Sequence, residues 1–229
     1  MTQTRCEPPY RLALCPRAEA DRAAELPGDV RACFSARELA ELKALPPRRR
    51  RDRIAGRLAA KRALAAHAEA EWGWRPRDEE LEIANDGEGR PFLRARLGDP
   101  PAPSFSISHC PAGAAAAAAC GGRRVGLDAE VVVARPAEVL AFVCARGEAE
   151  GARADPEAQA RLWTGKEAAL KLLGLGLSAD ARAVRVEGGR ARYDGEPGRA
   201  WRALGAPEVR VDFTREQDAM LAVAYTEMT

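Results

Sequence analysis

A chain of 229 residues that is 46% hydrophobic, 31% charged and +2 in formal net charge buries a sizeable core, as one domain or two small ones, without the charge excess that draws a protein to nucleic acid or a membrane surface. No apolar run nears the roughly 18 residues a bilayer span needs, and Met1–Pro9 is too polar and proline-rich for a signal peptide. The six cysteines form no C-x-x-C pair and have only His67 and His109 beside them, which argues against zinc and leaves reduced, structural thiols in a cytoplasmic protein as the expectation.

In chain order, Arg11–Cys15 reads as a short strand. Ser35-Ala36-Arg37-Glu38 is a capping box opening a helix whose Leu39, Leu42 and Leu45 share one face, and Pro46-Pro47 end it. A longer helix is predicted from about 50 to 71, with Ile54, Leu58 and Ala65 inward. On it, His67 reads as structural, and the run Arg48–Arg51 as a solvated helix start, with phosphate or carrier-protein contact as the alternative. Leu81–Ala84 is a strand entering the turn-rich Asn85–Pro91. After the proline-rich connection Pro100, Pro101, Pro103 comes Phe105-Ser106-Ile107-Ser108-His109-Cys110. Ala114–Ala119 has helical propensity but is short and flanked by glycines, so it is read as a buried strand of small residues. Val125–Val133 alternates, with Val125, Leu127, Ala129, Val131 and Val133 on one face and Asp128 and Glu130 on the other. Asp155-Pro156-Glu157 starts a helix that ends near Gly174, and Val184–Val186, Val209–Phe213 and Met220–Tyr225 complete the strands.

Of 36 basic residues only Lys43, Lys61, Lys166 and Lys171 are lysine. Two of the four fall in Trp163-Thr164-Gly165-Lys166-Glu167-Ala168-Ala169-Leu170-Lys171, which random filling of basic positions would produce with probability (4/36)(3/35), roughly one in a hundred. Lysine is compact and releases its proton where arginine does not, so these two positions point to chemistry. At 100° per residue, Leu162, Trp163, Ala169, Leu170 and Leu173 form an apolar stripe with Lys166 inside it, Glu167 at its edge and Lys171 just beyond. Glu167 and Lys171, four apart, are neighbours on the helix. Taken singly, this pair reads as a surface ion pair, and Asp128 with Glu130 as a solvated strand face. Together, Asp128, Glu130 and Glu167 are three hard oxygen donors of the kind that hold Mg²⁺ against substrate phosphates.

These residues resemble the 4′-phosphopantetheinyl transferases. Val125-Gly126-Leu127-Asp128-Ala129-Glu130 is similar to that family's G-[IV]-D-x-E motif, and Trp163–Lys171 to its W-x-x-K-E-x-x-x-K motif. Phe105–Cys110 is similar to F-x-[IV]-S-H-[ST], departing at Cys110. Gly89-Arg90-Pro91 resembles G-[KR]-P, and Gly56–Lys61 the upstream G-R-x-x-x-[RK]. The motifs follow family order from about 34 to 177, and the length suits the larger, monomeric type.

The resemblance implies an α+β fold of two similar subdomains with pseudo-twofold symmetry, here divided as 1–112 and 113–229, each a small, mostly antiparallel sheet with helices. It implies Mg²⁺ on Asp128, Glu130 and Glu167 of the second subdomain. Coenzyme A is expected in the cleft between the two, at Lys61, Arg90, Pro91, Ser108, His109, Asp128 and Lys171. The expected reaction moves phosphopantetheine to a serine of an acyl or peptidyl carrier protein, with Glu167 as base, Lys166 stabilising phosphate charge and Lys171 protonating or neutralising the leaving adenosine 3′,5′-bisphosphate. A coenzyme A-binding paralogue without turnover and an arginine-rich nucleic-acid module are the rivals. The intact acidic triad counts against the first, and the weak net charge against the second.

Overall fold

Two long helices, each lying on its own small antiparallel sheet, organise the chain. The structure is a computed structural model that describes residues 8–94, 103–145, 147–176 and 179–227; Cys6, Pro100 and Pro101 lie outside them. In the first half, β1 (Tyr10–Pro16) is followed by α1 (Arg17–Ala23), α2 (Gly28–Arg31), α3 (Ala36–Lys43) and the long α4 (Pro47–Trp72). The hairpin β2 (Ile83–Asn85) and β3 (Pro91–Leu93) comes next, then β4 (Phe105–Cys110) and β5 (Gly113–Ala119). The second half repeats the pattern: β6 (Val125–Val131), α5 (Ala137–Leu140), α6 (Glu148–Ala152), the long α7 (Pro156–Leu172), the hairpin β7 (Val184–Glu187) and β8 (Arg190–Tyr193), α8 (Gly195–Ala203), then β9 (Val209–Glu216) and β10 (Ala219–Thr226).

In both halves the first strand pairs antiparallel with the last, giving sheets ordered β1-β5-β4 and β6-β10-β9-β8-β7. The α+β class with small antiparallel sheets is therefore as expected. A division at 112 would separate β5 from β1 and β4, its partners on either side; by sheet membership the line falls between Ala119 and Val125.

β5 shows why an alanine run becomes a strand. Ala114, Ala116 and Ala118 pack in the core beneath α4, while Ala115, Ala117 and Ala119 pack against Val125, Leu127, Leu221 and Val223 of the second sheet. Buried on both faces between a helix and a second sheet, the strand has room only for small side chains, and tertiary packing overrides helix propensity. The same inter-sheet core takes Val125, Leu127 and Ala129, but β6 stops at Val131 and Val133 is half exposed, so the predicted apolar face is two positions shorter.

The capping box at Ser35 and Glu38 forms as read. Pro46-Pro47 does more than end α3, because Pro47 is also the first residue of α4, where its missing N–H costs nothing. α7 begins at Pro156 with Asp155 capping it and ends two residues before Gly174, whose φ is 77°.

The two sheets meet through side chains. Ser104, Ser106 and Ser108 alternate along the β4 segment, and their hydroxyls accept from the backbone N–H of Val125, Leu127 and Ala129 at 3.2, 3.0 and 3.2 Å. This ladder satisfies the free edge of β6, which would otherwise leave a row of donors unpaired.

Candidate active site

Two glycines let the long helices come close enough to build the site. A Cβ at Gly126 would overlap the carbonyl oxygen of Ala168 and the nitrogen of Leu172, so only glycine lets α7 lie this tightly on β6. That contact sets Glu167 and Lys171 over Asp128. A Cβ at Gly56 would overlap the ring of His109, so glycine there admits the imidazole against α4.

Where the halves join, Ser108, Asp128, Lys171 and Glu167 come together. Asp128 is 6% exposed, and its Oδ1 accepts from Ser108 Oγ at 2.8 Å and from Lys171 Nζ at 2.7 Å. Lys171 also donates to Ser108 Oγ at 3.2 Å. Glu167, 3% exposed, has its pKa pushed up to about 7, chiefly by burial and then by the charge of Asp128, with a smaller push from Glu130 that Lys171 opposes. Glu130 is raised as well, again chiefly by burial and next by Asp128. Its Oε2 accepts from the Arg135 guanidinium at 3.1 Å.

A divalent cation fits two of these groups. Asp128 Oδ2 and Glu167 Oε2 are both buried without a hydrogen-bond partner, which for carboxylate oxygens is costly unless a cation takes them. Both are hard oxygen donors suited to Mg²⁺. Among the described residues, however, no three carboxylate, imidazole or thiol groups are grouped so as to hold a metal ion. The expected set of Asp128, Glu130 and Glu167 is thus not preformed, because Lys171 takes one oxygen of Asp128 and Arg135 one of Glu130.

Two expected site residues are elsewhere. Lys166 is fully buried and donates to Glu148 Oε2 at 2.5 Å and to the carbonyls of Val143 and Ala181 at 2.8 and 3.3 Å. Lys61 is likewise fully buried, bonded to Glu38 Oε2 at 2.8 Å and to the carbonyls of Asp78 and Leu81 at 2.8 and 2.7 Å. Each ammonium spends its three protons on one carboxylate and two carbonyls, leaving none for a phosphate. Lysine is needed at these positions because a compact tetrahedral donor fits a closed pocket that a planar guanidinium would not. The assignments of Lys166 to phosphate charge and of Lys61 to coenzyme A are corrected accordingly.

The remaining expected residues border two clefts. Ser108 and His109, adjacent on β4, point to opposite faces. His109 keeps part of its surface open to solvent, yet packing against α4 holds its pKa below the usual imidazole value. It lines a cleft of about 470 Å³ with Arg49, Arg53 and Arg57, while Arg90 and Lys171 line a second of about 450 Å³ with Arg124 and Phe92. Gly89 and Pro91 border both. Arg90 is exposed and paired with Asp86 at 2.8 Å and Glu88 at 3.0 Å of its own turn. Arg57 is 2% exposed; its Nη2 donates to Glu41 Oε2 at 3.0 Å, its Nε lies 3.9 Å from Glu38 Oε1, and neither Nε nor Nη1 has a hydrogen-bond partner. The spacing of Arg49, Arg53 and Arg57, four apart on one helix face, was the signal for this basic wall, and the alternation of Ser104, Ser106 and Ser108 was the signal for the ladder.

Residues 124–204 match the model of the 4′-phosphopantetheinyl transferase superfamily. No curated protein matches the chain. Among solved structures, a holo-ACP-synthase from Plasmodium yoelii aligns with 46% of this chain and 97% of its own at 14% identity and a TM-score of 0.38. A holo-[acyl-carrier-protein] synthase from Neisseria meningitidis aligns with 46% and 98% at 16% identity and a TM-score of 0.37.

Proposed function

We propose that this chain, whose residues 124–204 match the model of the 4′-phosphopantetheinyl transferase superfamily, transfers 4′-phosphopantetheine from coenzyme A to a serine of an apo acyl or peptidyl carrier protein, releasing adenosine 3′,5′-bisphosphate. One observation carries this reading: at the junction of the halves, Asp128 and Glu167 each keep a buried oxygen unpartnered beside the Ser108–Lys171 pair. Bound there, Mg²⁺ would neutralise charge on the pyrophosphate, with Asp128 and Glu167 as its ligands and Glu130 as the third carboxylate nearby.

This chain's own residues supply the rest. The basic wall of Arg49, Arg53 and Arg57 with His109, and the second cleft with Arg90, Arg124 and Lys171, offer cationic surfaces on both sides of β4 for a ligand with several phosphates. The carrier serine is a poor nucleophile until its proton is removed, and Glu167 takes that proton, directly or through water. The serine oxygen bonds to the phosphorus of the phosphopantetheine as the bond to the departing bisphosphate breaks. Lys171, 25% exposed in its side chain, stands where it can neutralise or protonate the leaving oxygen. Buried Lys61 and Lys166 shape the halves and take no part.

Intact-mass analysis of several apo carriers with coenzyme A and Mg²⁺ tests this. The expected result is a gain of roughly 340 Da, the phosphopantetheinyl group, on at least one. No gain on fatty-acid, polyketide or peptide carriers, from folded protein, would overturn it.

A further inference from the structure

The serine ladder between β4 and β6 ends at the candidate site and brackets Asp128. Along one edge of β6, Asp128 pairs with Ala222 of β10. Along the other edge, the N–H groups of its two neighbours, Leu127 and Ala129, donate to Ser106 Oγ at 3.0 Å and Ser108 Oγ at 3.2 Å. Both serines are buried. Ser108 also donates to the Asp128 carboxylate and so belongs to the site, whereas Ser106 is bonded to the backbone that carries it. The third rung, from the Val125 N–H to Ser104 Oγ at 3.2 Å, lies further from Asp128 along the strand. In the repeat, β1 is the counterpart of β6 and β9 that of β4. Among the described residues no side chain of β9 accepts from a backbone N–H of β1; the link there is the Tyr10 hydroxyl donating to Asp212 at 3.1 Å. The ladder thus belongs to the junction whose carboxylates keep orphaned oxygens. A hydroxyl is what that edge requires, because alanine in its place would leave a buried N–H without an acceptor.

We infer that Ser106 is a positioning residue: by holding the Leu127 N–H it fixes the β6 backbone against β4 at Asp128, and so sets that carboxylate for the metal and for Lys171. The inference rests on the transferase reading of the site. Without this rung β6 keeps its pairing with β10, but its other edge is released one residue from the carboxylate. Displacements of about 1 Å at such a site cost on the order of 100-fold in rate.

Mn²⁺ binding to S104A and S106A, read from the electron paramagnetic resonance of the free ion, tests this without any transfer reaction. Each variant removes one rung, and the two differ in distance from Asp128. S106A should weaken Mn²⁺ by at least about 10-fold, the scale of a lost supporting contact at a metal site, whereas S104A should stay within about 3-fold of the unaltered protein. Ser106 also borders the cleft of Arg90 and Lys171, so calorimetry with coenzyme A in the absence of metal separates positioning from direct contact. That affinity should stay within about 3-fold in S106A. A loss of Mn²⁺ affinity in S104A as large as in S106A, or no loss in either, makes the ladder purely structural and overturns the inference. A fall in coenzyme A affinity in S106A as large as its fall in Mn²⁺ affinity overturns it too, by making Ser106 a ligand contact. D128N, expected to weaken Mn²⁺ by at least about 10-fold, keeps these outcomes apart from failure of the site reading: unchanged binding in D128N removes the metal site itself. Should S106A not fold, S106C keeps the side chain with a weaker acceptor, and the same comparison with S104A decides.

Discussion

Replacing Glu167 by glutamine should make the metal-free protein more stable, and increasingly so as pH rises. The carboxyl has an ordinary value of 4.5 and a folded value of about 7. Below the unfolded value it is protonated in both states, and a neutral amide of the same shape costs nothing. Between the two values the unfolded chain ionises while the folded chain keeps its proton. Stability is therefore present below 4.5 and lost as pH climbs through about 7. At 1.36 kcal/mol per pH unit, the interval between 4.5 and about 7 corresponds to roughly 3 kcal/mol. For a chain of this length that is a rise in Tm of about 6–12 °C for E167Q at about pH 8. Urea and thermal unfolding of both proteins in chelator, from about pH 4 to pH 8, measure it, and titrations common to both cancel in the difference. Added Mg²⁺ should narrow the gap, since only the unaltered protein has both ligands to bind it. A difference between the two proteins that stays flat across this range would refute the assignment of Glu167 as the crowded carboxylate.

Four further outcomes are expected. K61M takes from buried Glu38 its closest cation, leaving Arg57 at 3.9 Å and two backbone N–H groups, and should cost about 3 kcal/mol by chemical denaturation, with coenzyme A affinity unchanged in whatever folds; a loss under about 1 kcal/mol would return Lys61 to consideration as a ligand contact. S106A removes the middle rung between the sheets and should cost about 1–3 kcal/mol, with the Leu127 amide exchanging faster in hydrogen-exchange measurements; unchanged protection there would show that the ladder is not what joins them. G126A should cost about 1–3 kcal/mol by pushing α7 off β6, and should lower transfer further than stability alone explains; wild-type transfer would mean that the close helix contact is not needed. K171R keeps the charge but raises the proton affinity, so it should lose much of the turnover, as K171Q should; near-wild-type turnover in K171R would leave Lys171 a purely electrostatic role.

Local signals were legible in the sequence wherever one residue's chemistry dictates one local geometry. The capping box at Ser35–Glu38 and the Asp155-Pro156 start of α7 appear as read, and of the apolar face read over Val125–Val133 the part Val125, Leu127 and Ala129 does, because caps and strand faces depend on neighbours a few residues away. Spacing also placed Lys166 inside the apolar stripe of α7 and Glu167 beside Lys171. Which partner each charge would meet lay outside what spacing reports. Glu38 was readable as a cap, yet its carboxylate also receives Lys61, 23 residues on, and the N–H of Ile83.

The scarcity of lysine was a true signal with more than one cause. Lys171 sits at the candidate site, whereas Lys61 and Lys166 are kept as compact donors inside closed pockets. The alanine run of β5 shows the same limit: only the packing of α4 on one face and the second sheet on the other decides that it extends rather than coils. Periodicity and local motifs thus determined individual helices and strands and the residues rich in chemistry, through interactions within a turn or a strand, while the class of fold was what the resemblance implied. Tertiary structure decided which of those residues meet, because burial and pairing depend on elements far apart in the chain and brought together by the core.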